Sequence, residues 1–94
     1  QPTTLPLVPG SYVRLQVTAD RVLAVDFKTN AVVPERVEDI PEGLLRQMGA
    51  YAAALHQIYP QHRIETAILW TRTAQLMSLP HDLVIAALQN TRAS

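Results

Sequence analysis

Cysteine is missing from this chain altogether. Its absence excludes disulfides and thiolate metal sites, and it suits a reducing compartment, so the expected location is cytoplasmic. Net charge is missing too, because eight Lys and Arg balance eight Asp and Glu. With no overall basic field, binding to nucleic acid would need a local patch or a larger protein around this one. No apolar run approaches the roughly twenty residues that span a bilayer, so no membrane segment is expected. Glycine is scarce: Gly10, Gly43 and Gly49 stand apart, which excludes a glycine-rich phosphate loop. No serine occupies a nucleophile elbow. His56, His62 and His81 share no metal-ligand spacing, and each reads as a surface residue or the neighbour of a helix cap.

What is present is one small core's worth of apolar residues, 48% of 94. That is enough for a single domain or part of one. Residues 1–10 are rich in Pro and Thr, without the basic and apolar regions of a signal peptide, and read as a linker or extended leading segment. The chain reads as a C-terminal fragment of something longer.

Residues 11–18 alternate, with Val13, Leu15 and Val17 on one face. This is strand periodicity. Ala19 and Asp20 break it, and residues 21–29 form a second strand, which makes a hairpin. A two-residue loop sets the register: Val17 faces Val22, Leu15 faces Ala24, and Val13 faces Asp26. Residues 30–41 are a loop. Pro41 and Glu42 open a helix that Pro60 stops, with Leu44, Met48, Tyr51, Leu55 and Ile58 as its buried stripe. Residues 63–71 form a strand that is apolar on both faces at its centre, hence central and parallel to the second. Residues 74–79 form a fourth, antiparallel strand. A last helix runs over residues 83–91, with Leu83, Ala86, Ala87 and Leu88 for packing. The expected fold is α/β, a mixed sheet flanked by helices in the order β-β-α-β-β-α.

Chemistry concentrates at the end of the second strand. Asp26 and Lys28 project on the same side, because strand side chains alternate. A carboxylate and an ammonium so placed can hold a divalent metal and position a water; they are also an ordinary strand-end charge pair. Gln47 and Tyr51 stand four apart on the helix, one turn from each other, and offer an amide and a hydroxyl. The crossover should bring them near the strand's carboxyl end, where α/β sheets bind ligands. Otherwise Tyr51 is core and Gln47 is merely exposed. Arg72, with Arg63 and Arg92, could touch phosphate, or each could be solvated charge.

The run Val25-Asp26-Phe27-Lys28-Thr29-Asn30, followed by Gln47-Met48-Gly49-Ala50-Tyr51 and then Ile68-Leu69-Trp70-Thr71, resembles the RecB-type nuclease domains of the PD-(D/E)XK superfamily, in particular those of the AddA family of helicase-nuclease subunits. The likeness covers most of residues 10–90. It implies a restriction-endonuclease-like fold, here its C-terminal part over residues 11–94. It also implies Mg²⁺-dependent (or Mn²⁺-dependent) hydrolysis of DNA phosphodiesters in repair of double-strand breaks, with ATP confined to the helicase part of the parent and a partner nuclease subunit of the AddB type. By the resemblance, Asp26 and the Phe27 carbonyl are metal ligands. Lys28 orients or activates the attacking water. Gln47 and Tyr51 position the site and the DNA strand, and Arg72 is a further DNA contact.

One departure stands out. The family pattern G-x-(I/V)-D-R-L corresponds here to Gly10-Ser11-Tyr12-Val13-Arg14-Leu15, so Val13 holds the place of an acid. The family's upstream helix, with a histidine or acid that completes the site, has no counterpart in this sequence. The resemblance therefore implies an impaired nuclease, or a degenerate one kept for DNA binding or subunit docking. An unrelated small α/β binding module is the remaining reading.

Overall fold

The computed structural model describes residues 12–93, with side chains through residue 90; the leading segment 1–10, Ser11 and Ser94 lie outside the described residues. The chain forms a mixed α/β fold. Four strands, β1 (Tyr12–Val17), β2 (Arg21–Lys28), β3 (Arg63–Trp70) and β4 (Gln75–Leu79), lie in the spatial order β1-β2-β3-β4. Two helices, α1 (Glu42–Ile58) and α2 (His81–Ala93), complete it. A short 3-10 turn at Val37–Asp39, unforeseen in the loop before α1, closes on a bond from the Ile40 N–H to the Val37 carbonyl, 3.1 Å.

The β1–β2 hairpin turns where Ala19-Asp20 predicts. The Thr18 N–H donates to the Arg21 carbonyl at 2.8 Å, and the Thr18 hydroxyl accepts from the Arg21 N–H at 3.1 Å. The register follows from that turn: Val17 faces Val22, Leu15 faces Ala24 and Val13 faces Asp26. β2 and β3 pair in parallel and β3 and β4 antiparallel, so β3 is central. Ala74 is not the start of β4. It sits in the preceding turn at φ 54°, the left-handed conformation that a tight reversal demands and a Cβ disfavours.

Val22, Ala24 and Asp26 on β2, with Ile64, Thr66, Ile68 and Trp70 on β3, turn one sheet face inward. Both helices cover that face, and they also pack on each other. This corrects two expected stripes. On α1 the buried residues are Leu45, Met48, Gly49, Tyr51, Ala52 and Leu55, while Leu44 is only half-buried and Ile58 is exposed. On α2 Val84 and Ala87 are buried and Ala86 is exposed. The cause is common to both: α1 must serve the sheet and α2 at once. Gly49 permits the approach, since a Cβ there would overlap the Val84 carbonyl. Among the described residues no helix is long and apolar enough to cross a membrane.

Candidate catalytic centre at the carboxyl end of strand β2

Asp26 lies on the inward face of β2, between Val13 on β1 and Ile68 on β3. Its neighbours on both sides are apolar, and it is 0% exposed. Lys28, two residues on, shares its face, and its Nζ stands 3.4 Å from Asp26 Oδ2. The contact is an ion pair without hydrogen-bond geometry, and neither carboxylate oxygen has a hydrogen-bond partner. Burial pushes the Asp26 carboxyl above its ordinary value; the Lys28 charge opposes the shift without cancelling it. An ionised carboxylate that is buried and lacks hydrogen bonds is costly to keep, and native proteins keep such groups chiefly where a ligand or reaction uses them.

Helix α1 begins close to this end of the sheet because the β2–α1–β3 crossover runs it antiparallel to two parallel strands. It presents Gln47 and Tyr51 one turn apart. The Gln47 amide donates to the Tyr51 hydroxyl at 2.7 Å. That leaves the phenolic hydrogen available to a second acceptor. Tyr51 is fully buried. Its pKa is raised, first by burial and further by the negative charge of Asp26, against the Gln47 hydrogen bond. Tyr51 thus lies within electrostatic reach of Asp26. Asp26, Lys28, Gln47 and Tyr51 form one linked group, with position 13 directly across from the acid.

Four further residues belong to this end of the sheet. The Thr71 N–H and hydroxyl both donate to the Lys28 carbonyl, at 2.9 and 3.1 Å, and fix the backbone that carries the lysine. Trp70 is the register partner of Lys28 and fully buried, and its indole N–H has no hydrogen-bond partner. The buried Nε of Arg46, next to Gln47, is likewise unpartnered. In the sequence Trp70 reads only as core; its placement beside Lys28 depends on the parallel register of β2 and β3, which no local pattern reveals. Arg72 is exposed in the turn just beyond Trp70 and Thr71, at this same end. Arg63 lies at the opposite end of the sheet, and the Arg92 side chain falls outside the described residues.

A hard cation such as Mg²⁺ needs several oxygen ligands. The orphaned Asp26 carboxylate fits one of them, and a carbonyl such as that of Phe27 retains a lone pair even within a sheet. The set as a whole does not fit. Val13 brings a hydrocarbon where a second carboxylate would face Asp26, and among the described residues no three His, Cys, Asp or Glu are grouped to hold a metal. Comparison of the chain with known protein families, with curated proteins and with solved structures finds no match.

Proposed function

We propose that this chain is the C-terminal part of a RecB-type nuclease domain of restriction-endonuclease-like fold. Its parent is a helicase-nuclease that hydrolyses DNA phosphodiesters at double-strand breaks, working with a subunit of the AddB type. The observation that carries the reading is Asp26: a fully buried carboxylate without hydrogen bonds, ion-paired with Lys28 and approached by the Gln47–Tyr51 pair. Asp26 and the Phe27 carbonyl are the oxygens this chain would offer a Mg²⁺ ion, which would supply a Lewis acid and a template for water, and Val13 leaves that set one carboxylate short. The Lys28 ammonium is placed to hold a water by hydrogen bonding and to offset negative charge developing on a phosphoryl oxygen. Gln47 fixes the buried Tyr51, which braces the site beside Asp26, and Arg72 adds an exposed cation at the same rim.

Val13 favours a second reading, in which the domain has lost most of its cutting and serves DNA binding or subunit docking. The test is made in the parent protein. Asp26→Asn should abolish Mg²⁺- or Mn²⁺-dependent cleavage while DNA-stimulated ATP hydrolysis persists. Val13→Asp should raise cleavage and tighten metal binding measured by calorimetry. A parent that cuts no DNA even with Val13→Asp sinks the nuclease reading and leaves the second.

A further inference from the structure

At the other end of the sheet β4 stops short. Its last pair with β3 is Leu79 with Thr66, so residues 63–65 of β3 have no β4 neighbour. Pro80 then turns the chain into α2. The gap is a cavity of about 600 Å³, of the size that holds a small molecule. The end of α1, the turn that follows it and the start of α2 deliver His56, His62 and His81 to its wall, together with Arg63, Glu65, Thr66 and Ser78. Apolar surface from Leu23, Ile64 and Leu79 lines the rest.

Two buried polar groups on this wall have nothing to bond. Thr66 is 3% exposed, and its hydroxyl has no hydrogen-bond partner. His62 sets its Nε2 3.1 Å from the Thr18 carbonyl, which makes Nε2 the donor; its buried Nδ1 is unpartnered and in that tautomer accepts. The wall therefore calls for a ligand with hydroxyl groups. It also calls for negative charge. His81 is the first residue of α2, a helix of 13 residues, and the first turn of a helix presents N–H groups without helical partners at the positive end of its dipole. At the sheet end the wall carries Arg63 and Glu65, an ion pair at 3.4 Å whose charges balance, and Arg21, 3.5 Å from the same carboxylate, adds one positive charge beside the cavity. Asp82 in the first turn of α2 is the opposing charge.

We propose that this cavity binds the phosphate ester of a small polyol, a sugar phosphate or a mononucleotide. The phosphate sits toward Arg63 and the start of α2, and ligand hydroxyls bond Thr66 and His62. The assignment is independent of the nuclease reading, since the two sites occupy opposite ends of the sheet. It is tested by amide NMR titration of the chain with ribose 5-phosphate, adenosine 5′-monophosphate, inorganic phosphate and a single-stranded oligonucleotide. Both esters should shift the amides of His81, Asp82 and Thr66 and bind about tenfold tighter than inorganic phosphate, which lacks the hydroxyls. Equal affinity for the two esters identifies a sugar phosphate; tighter binding of the nucleotide identifies the base as a contact. Arg63→Gln and Thr66→Val should each weaken binding about tenfold, and Arg36→Gln should leave it unchanged. Thr66→Val keeps the shape and removes the orphan hydroxyl, so its thermal stability should not fall. Three results overturn the proposal: silence of these amides with both esters, binding that survives in both Arg63→Gln and Thr66→Val, or binding of the oligonucleotide alone.

Discussion

The two ends of the sheet carry the same kind of contact at nearly the same distance, and the surroundings make them opposites. At the carboxyl end of β2, Lys28 and Asp26 stand 3.4 Å apart, with side chains 18% and 0% exposed. At the amino end of β3, Arg63 and Glu65 also stand 3.4 Å apart, but 71% and 39% exposed. Coulomb attraction at such a distance is about 1 kcal/mol in water and about 4 kcal/mol at the effective permittivity near a protein surface. Desolvation acts in the other direction and only on the buried pair. So the open pair is nearly dispensable, whereas the buried one is costly to keep and costlier still to break from its cationic side, which strands the fully buried carboxylate. Distance alone does not rank them.

Breaking the buried pair from its cationic side should give the largest effect. Lys28→Met leaves Asp26 buried without its counter-charge and should cost about 3–5 kcal/mol in urea unfolding at neutral pH. The cost should shrink in acid, where Asp26 takes up a proton. A loss below about 1 kcal/mol would mean that water reaches Asp26, and the contrast between the two ends would vanish.

Breaking it from the anionic side should do the reverse. The folded-state pKa of Asp26 is raised above its ordinary value of 3.8. Its contribution to stability is therefore fully present below that value and is lost as pH rises through the folded-state pKa. Asp26→Asn carries no such loss. The variant should gain on the natural chain as pH climbs from 3 to 7. An advantage that shrinks with rising pH would show that the Lys28 charge outweighs burial. A buried acid whose removal stabilises the fold is what a site kept for function, not for stability, leads one to expect.

The hairpin was the most legible part of the molecule. A two-residue turn and strict alternation leave one register, and that register put Val13 opposite Asp26. The shared face of Asp26 and Lys28, and the adjacency of Gln47 and Tyr51, follow from strand and helix periods in the same way. What stayed illegible depends on second partners. The buried face of α1 is rotated from the expected stripe because α2 competes with the sheet for it, and the small residues Gly49 and Ala52 mark that contact better than Leu44 or Ile58 do. The cavity was invisible for a related reason. His56, His62 and His81 have no meaningful spacing along the chain, and only the early end of β4 brings their elements together.

The smallest expected effect sharpens the comparison from the open end. Glu65→Gln removes the carboxylate that Arg21 and Arg63 share, yet all three side chains are more than a third exposed. Water and salt replace most of what is lost, so unfolding stability should change by no more than about 0.5 kcal/mol. A loss above about 1 kcal/mol would place this cluster in a drier setting than its exposure indicates. The same variant should tell differently on ligand binding. With the acid neutralised, Asp82 is the one opposing charge left to the two guanidinium groups, and affinity for a phosphate ester should rise about threefold at low salt, with the gain fading as salt is added. Stability held constant while anion affinity moves is the behaviour of a charge cluster that faces a ligand; at Asp26 and Lys28 the same kind of substitution should move stability first.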